Sequence, residues 1–280
     1  MRPLQRRRRG LSEIVGTLML VLIVVSAAVA FSLFVAAYEK QLTNEQSFSQ
    51  QRSLESLRVL SVAPVLNVSN GGTTWTTVTF VLASEYVNPS VVTSISVNGH
   101  ALRSYNATPV SSGGANITTV TYASTLAIPP RAQVDVSVDF VNASPFYSFF
   151  DPAFVLPSSS FLKVDVYTAY QNDFSATFVP PTAIAIVSGL VTLNGGLPET
   201  IPILDGSNSF QPVNGTLVHW AWTVNETAPA LVNGTAVGEK ATFPSVFGSP
   251  LPASGNYTIT LVVTDSYGLL AATTIDYVQS

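Results

Sequence analysis

The feature that most constrains this chain is an uncharged stretch close to its N-terminus. No charged residue occurs from Ile14 to Ala37, and four consecutive arginines at positions 6–9 precede it. At ~1.5 Å per residue, this stretch would form a helix of roughly 36 Å, long enough to cross the hydrocarbon core of a bilayer. A helix is expected because lipid offers the backbone no hydrogen-bond partners. The arginines predict a cytoplasmic N-terminus and an exterior C-terminal region.

The order of the N-terminal parts differs from that of a secretory signal, in which the small-residue cleavage site follows the apolar region. Here Gly10 and Leu11 stand before the apolar run, and Glu13 follows closely. Over about 60 residues, this arrangement resembles the class III signal peptide of archaeal type IV pilins. The resemblance implies that a prepilin peptidase of the membrane cuts after Gly10, so residues 1–10 form a cleaved basic leader without expected structure. A plain signal anchor on a monomeric ectodomain is the alternative.

The mature chain would then begin with one helix, which we predict over residues 11–57 as the transmembrane segment and filament core. Ser26 and Ala30 form a small-xxx-small pair that permits close helix approach. Gly16 softens the early helix. Glu13 could pair with the terminal amine of its own or a neighbouring chain, a role that the resemblance suggests, or interact simply with the helix dipole.

The residues from Arg58 onward change to a period of two, which is typical of half-buried strands. In the stretch RAQVDVSVDF, Val134, Val136 and Val138 alternate with polar residues. Several such stretches, separated by Asn-Gly, Gly-Gly and Pro-Pro turns, predict a β-sandwich head domain over residues 58–179. The pattern resembles the sandwich head of archaeal pilins and archaellins.

A second β-domain is predicted over residues 182–280, after a stiff joint at Pro180-Pro181 across which we expect few contacts. This part resembles a PKD-type immunoglobulin-like domain, although Asn225-Glu226-Thr227 replaces the family's usual Gly-Asp-Gly turn. The resemblance rests on residues 205–207, on the aromatic strand Val218, Trp220, Trp222 and Val224, and on the closing hairpin Gly255, Tyr257, Ile259, Leu261, Val263, Asp265 and Gly268. The predicted fold class is therefore α+β, a long N-terminal hydrophobic α-helix followed by two all-β immunoglobulin-like sandwich domains.

The sequence offers little for catalysis. His100 and His219 are its only histidines, there is no cysteine, and no recognised catalytic or phosphate-binding motif occurs. We therefore predict that the protein is not an enzyme and needs no cofactor. Asp205 and Asp265 are weak candidates for calcium binding, and turn capping is their alternative role. Without residues 1–10 the chain keeps 7 basic and 16 acidic residues, a charge of −9, which argues against nucleic-acid binding.

Eight Asn-x-Ser/Thr triplets lie beyond residue 60, in the proposed exterior region, and chance predicts about three. Such triplets accept N-glycans where the glycosylation machinery reaches them. We expect glycans to hydrate a surface that carries few charges. The candidates are Asn67, Asn106, Asn116, Asn142, Asn214, Asn225, Asn233 and Asn256.

Residues 145–150, with the sequence PFYSFF, form an aromatic cluster between two predicted strands. The cluster would serve either as a buried loop anchor or as an adhesive or inter-subunit patch.

Taken with the resemblance, these features predict a structural subunit of an archaeal type IV pilus-like extracellular filament. Its precursor would lie in the cell membrane, and its partners would be identical subunits, the prepilin peptidase, an assembly platform and N-glycans. The exposed β-domains would serve surface adhesion. The alternatives are a membrane-anchored monomeric surface adhesin, a sugar-binding ectodomain and a subunit of the archaellum, the motility filament.

Overall fold

The computed structural model describes the backbone of residues 5–67, 73–113, 116–194, 197–213, 215–228, 233–247 and 255–279. The side chains of residues 5–12, 112, 190–200 and 228 lie outside this description. The chain divides into two units, Met1–Leu54 and Glu55–Ser280. One long helix is followed by a β-rich region of antiparallel sheets, which confirms the predicted α+β class.

Helix α1 spans Gln5–Leu54, so both of its ends differ from the prediction. It begins inside the predicted leader, and strand β1 (Leu57–Leu66) starts where the helix was expected to continue. Leu57 is buried in a β-core and pairs with Ser84. The Oε2 atom of Glu55, also buried, accepts hydrogen bonds from Thr168 Oγ1 (2.6 Å) and from Asn172 Nδ2 (2.9 Å). The predicted helix end at residue 57 is wrong because tertiary burial outweighs helix propensity here.

The first two sheets share one hydrophobic core. One sheet has the strand order β1-β2-β8-β5-β6; the other has the order β10-β9-β3-β4, with β7 paired to β3. Val134, Val136 and Val138 are buried in this core, as their alternation predicted. The strands are β2 (Trp75–Ser84), β3 (Ser90–Val97), β4 (His100–Ala101), β5 (Ser104–Pro109), β6 (Thr118–Thr121), β7 (Leu126–Ile128), β8 (Gln133–Asp139), β9 (Leu162–Thr168) and β10 (Asp173–Phe178).

Two further sheets enclose a second core. Their strand orders are β11-β12-β15 and β14-β13-β16-β17. The elements are β11 (Ile186–Asn194), β12 (Leu197–Asp205), β13 (Leu217–Ala228), β14 (Asn233–Val237), β15 (Lys240–Thr242), helix α2 (Phe243–Phe247), β16 (Gly255–Asp265) and β17 (Leu270–Gln279). The domain boundaries at residues 58–179 and 182–280 stay predictions, since Glu55–Ser280 forms one compact unit.

The aromatic strand on which the resemblance rests, β13, is only partly buried. Trp222 and Val224 lie in the second core and Trp220 is half-buried, but Val218 is 56% exposed. The strand pairing with β16 shifts register between Leu217 and His219. A shift of one residue moves a side chain to the other face, so Val218 does not share the buried face of Trp222.

The turn between β16 and β17 connects the two cores, which contradicts the expectation of few contacts across the proline joint. Leu269, in that turn, is fully buried in the first core, and the Tyr267 ring lies 5.2 Å from that of Phe178. Gln211 Nε2 donates both to Val179 O (2.9 Å) and to Asp265 Oδ2 (2.8 Å). The two sandwiches are therefore joined by apolar burial as well as by the chain.

Candidate functional site

The first candidate site is the apolar half of helix α1. Every described side chain from Glu13 to Phe34 is exposed, including the predicted assembly residues Glu13, Gly16, Ser26 and Ala30. The described residues contain one helix that is long and apolar enough to span a membrane. A helix that is apolar on all sides is stable only when lipid or other apolar helices surround it.

Small and hydroxyl-bearing residues interrupt this apolar surface, and the serine hydroxyls among them form hydrogen bonds within the helix. Ser26 Oγ donates to Ile23 O (3.0 Å), and Ser32 Oγ donates to Val29 O (2.9 Å). Because the hydroxyls bond within their own helix, they are compatible with an apolar environment. A Cβ atom built on Gly16 would meet nothing within 4 Å, so the fold of this chain does not itself require glycine there.

The leader cleavage residues, Gly10 and Leu11, belong to helix α1, but their side chains lie outside the described residues. The prediction that the chain is cut between them therefore stays a prediction.

The second candidate site is a groove of about 660 Å³ on the outer face of the first sheet, which we call the outer groove. Strand register explains its floor. Thr119, Asn106 and Ser137 lie directly opposite one another on β6, β5 and β8 and therefore form one row across the outer face. The groove is lined by Thr77, Arg103, Ser104, Tyr105, Asn106, Thr119, Thr121, Tyr122, Ser137, Asp139, Pro145, Phe146 and Ser148.

Two aromatic side chains stand exposed at the wall of the outer groove. Tyr122, which follows β6, is 70% exposed, and Phe146, in the predicted aromatic cluster, is 62% exposed. The ring of Phe150 lies edge-on to that of Tyr122, with 5.3 Å between the ring centroids. Singly exposed aromatics are common, but two that line one groove indicate a surface for a ligand or partner.

The loop that carries Phe146 is held by buried neighbours. Tyr147 and Phe149 are buried in the first core, and the Tyr147 hydroxyl donates to Asp151 O (2.7 Å). Asp139 N donates to Ser148 Oγ (2.9 Å), and Arg103 Nη2 donates to Tyr147 O (2.9 Å). The aromatic cluster is thus a buried anchor and an exposed patch at once, because Tyr147, Ser148 and Phe149 are buried while Phe146 and Phe150 on either side are exposed.

The weak calcium candidates, Asp205 and Asp265, both cap turns. Asp205 Oδ1 accepts from Ser207 N (2.9 Å), and Lys240 Nζ lies 2.9 Å from Oδ2. Hydrogen bonds from Ser207 and Lys240 lower the pKa of Asp205 to about 2. Asp265 Oδ1 accepts from Tyr267 N and Leu269 N, both at 2.9 Å, while burial raises the pKa of this carboxyl.

Among the described residues, no group of three or more His, Cys, Asp or Glu side chains has the placement of a metal site. Calcium binding at Asp205 or Asp265 stays a prediction. His219, on β13, is exposed. His100 stacks on Phe154, with 3.9 Å between ring centroids, and its Nδ1 lies 3.8 Å from Asp151 Oδ2.

The candidate glycosylation asparagines occupy different environments. The exposed ones are Asn116, Asn142, Asn233 and Asn256, the half-buried ones are Asn67, Asn106 and Asn225, and Asn214 lies outside the described residues. Asn225 and Asn233 are directly opposite on β13 and β14. Asn106 lines the outer groove. The triplets were found from sequence, but the groove could not have been, since four separated strands and a loop form it.

No known protein family and no curated protein matches the chain. Solved structures that resemble it include that of red sea bream transglutaminase, with 11% sequence identity and a TM-score of 0.25. The match covers 79% of this chain and 30% of that one, so this chain spans about a third of that protein's length. At this TM-score, the likeness carries no argument about fold or function.

Proposed function

We propose that the chain is a structural subunit of an archaeal type IV pilus-like extracellular filament. The subunit polymerises through its N-terminal helix after cleavage between Gly10 and Leu11. Its β-region lies on the outside of the filament and serves adhesion. Its partners are identical subunits, the prepilin peptidase and the assembly platform, and the membrane holds the precursor.

The observation that carries this proposal is the uniform exposure of an apolar helix. The described side chains from Ile14 to Phe34 are exposed on every side of α1. Lipid covers such a surface in the precursor, and identical helices cover it equally well in a filament. Since lipid tails are as apolar as these side chains, the free energy of moving the helix from lipid into the filament depends mainly on packing and on contacts at small residues.

The face around Ser26 and Ala30 suits such packing. These residues are one helical turn apart, so their short side chains lie on the same face and allow a neighbouring helix to come close. The Ser26 hydroxyl donates to Ile23 O and therefore carries no unmet hydrogen bond into the contact.

Glu13 sets the axial register of the contact between neighbouring helices. Its side chain is exposed at the start of the apolar run. A carboxylate near lipid is costly unless it is paired, and cleavage after Gly10 creates an amine on Leu11 that can pair with it. An amine of a neighbouring subunit would fix the axial position of one helix against the next.

The experiment compares Ala30→Leu with Ala28→Leu in cells whose surface filaments are sheared and imaged by electron microscopy. At about 100° per residue, position 28 points away from the face that Ser26 and Ala30 share. Both variants add the same side chain and keep the helix apolar, so both should enter the membrane. We expect few or no filaments with Ala30→Leu and near-normal filaments with Ala28→Leu.

Absence of the chain from every sheared filament, while the intact protein stays in the membrane fraction, would refute the proposal and favour an anchored monomeric adhesin or sugar-binding ectodomain. Filaments that rotate would identify the archaellum instead. Equal filament yield from both variants would refute the role given to Ser26 and Ala30.

A further inference from the structure

We propose that the outer groove is the seat of an N-linked glycan carried by Asn106, and that the first sugars of this glycan pack against Tyr122 and Phe146. This inference goes beyond polymerisation. It rests on the proposed function only in that the β-region must lie outside the cell, where the glycosylation machinery acts.

The attachment atom is placed for this role. Thr119 Oγ1 donates to Asn106 Oδ1 (3.0 Å), which fixes the plane of the amide. Asn106 Nδ2, the atom that would carry the sugar, makes no hydrogen bond to the described residues around it. Thr108 completes the triplet that the glycosylation machinery recognises. The hydrogen bond to Oδ1 therefore orients the amide, while Nδ2 stays open for modification.

The chemistry of the groove suits a carbohydrate. A pyranose ring has an apolar face of C–H groups, which can lie on an aromatic ring, and a rim of hydroxyls, which need donors and acceptors. Tyr122 and Phe146 supply exposed aromatic surface, whereas Ser104, Thr121 and Ser137 supply hydroxyl groups. The volume of about 660 Å³ falls within the range of ~300–1,000 Å³ that is usual for small-molecule sites.

Two charged side chains, Arg103 and Asp139, line the groove, and each already forms a hydrogen bond with the backbone. Arg103 Nη2 donates to Tyr147 O, and Asp139 Oδ1 accepts from Val141 N (2.7 Å). Both groups keep further atoms for a ligand, and their opposite charges cancel. A neutral sugar is therefore a better fit than a strongly charged group.

Among the described triplets, Asn106 alone has its asparagine in the lining of the outer groove. Asn116, Asn142, Asn233 and Asn256 are exposed. Glycans at those positions would extend into solvent. The glycan on Asn106 would instead cover the aromatic side chains beside it and order itself against the protein.

The test uses the mature protein from its native host. Glycopeptide mass spectrometry first measures sugar at each triplet, and we expect Asn106 to be occupied. Hydroxyl-radical footprinting then compares the oxidation of Tyr122 and Phe146 between variants. Asn106→Gln and Thr108→Ala both remove the triplet and should raise this oxidation several-fold. Thr108→Ser keeps the triplet and should leave the oxidation unchanged, as should Asn116→Gln, which removes an exposed triplet.

A second measurement follows the sugar itself. Periodate oxidises exposed vicinal diols, so Tyr122→Ala should speed the oxidation of the Asn106 glycan several-fold. Phe161→Ala, which removes an exposed aromatic outside the groove, should not change it.

Two results would overturn the inference. The first is an unmodified Asn106, whether or not other triplets carry sugar; with no triplet modified, filament imaging still decides the proposed function separately. The second is an occupied Asn106 whose loss leaves the oxidation of Tyr122 and Phe146 unchanged, because the glycan would then extend into solvent.

Discussion

Leu269 stabilises a sandwich to which its own strands do not belong. It lies in the turn between β16 and β17 of the second pair of sheets, yet it is 0% exposed within the first core. We predict that Leu269→Ala destabilises the first sandwich. The variant removes three carbon atoms, and at ~0.8 kcal/mol per buried CH₂ the transfer term is about 2.4 kcal/mol. With the cavity left behind, the loss should be about 2–5 kcal/mol.

The turn is held rigidly enough for this cavity to persist. Asp265 Oδ1 accepts from two backbone N–H groups of the turn, and Gly268 has a φ of +79°. A Cβ atom on Gly268 would come within 3.3 Å of Pro64 Cδ on β1. The turn therefore lies tightly against the first sandwich, and relaxation into the space of a missing leucine should be limited.

The assay is hydrogen exchange of the full-length chain in detergent, read by mass spectrometry for peptides of β8 and β16 separately. Leu269→Ala should speed exchange in β8, which belongs to the first core. Leu261→Ala, the matched control, removes an equally buried leucine from the second core and should act mainly on β16. Unchanged exchange of β8 in Leu269→Ala would refute the argument.

The contact of Leu269 with the first core also affects how a truncation of the second pair of sheets would be interpreted. Removing residues 180–280 would take Leu269 and Tyr267 away from the first core. Loss of filaments after such a truncation could then reflect an unstable first sandwich, so it would not prove that the second pair of sheets builds the polymer.

Three further predictions follow from single side chains. Gly10→Val should block processing and leave the precursor in the membrane, which intact mass measures; a mature chain starting at Leu11 despite the change would contradict the proposed site. Trp222→Ala should cost about 3–5 kcal/mol of unfolding free energy, because Trp222 is 1% exposed and its Nε1 donates to Gly238 O (2.9 Å); an unchanged urea midpoint would contradict this. Burial raises the pKa of Tyr105 to about 12 from its usual value of about 10. As the pH rises, the tyrosine therefore ionises first in the unfolded chain, and the free energy of unfolding should fall by up to about 3 kcal/mol between pH ~10 and 12. Alkaline denaturation that is identical in Tyr105→Phe would refute the last prediction.

Much of the fold could be predicted because local periodicity carries it. The uncharged run Ile14–Ala37 has one stable backbone state in lipid, so a helix was determined without reference to the rest of the chain. The alternation of Val134, Val136 and Val138 with polar residues likewise indicated which side chains of that strand face a core, since side chains of a strand alternate between its two faces. All three valines are buried as predicted.

Features that depend on residues distant in sequence could not be predicted. The helix ends at Leu54 rather than at residue 57 because Ser84 and Thr168, far along the chain, offer Leu57 and Glu55 their partners. Val218 leaves the buried face because of a register shift in strand pairing, which no alternation pattern records.

The outer groove and the buried Leu269 share this origin. The groove arises only when β5, β6 and β8 align Asn106 with Thr119 and Ser137, and Leu269 reaches the first core only because a hairpin turn is directed at β1. The sequence by itself determined the apolar helix, the β-class and the modification triplets, since each follows from residues close together in the chain. Only the tertiary structure decided which triplet lies in a groove and which leucine joins the two sandwiches, because both depend on long-range packing.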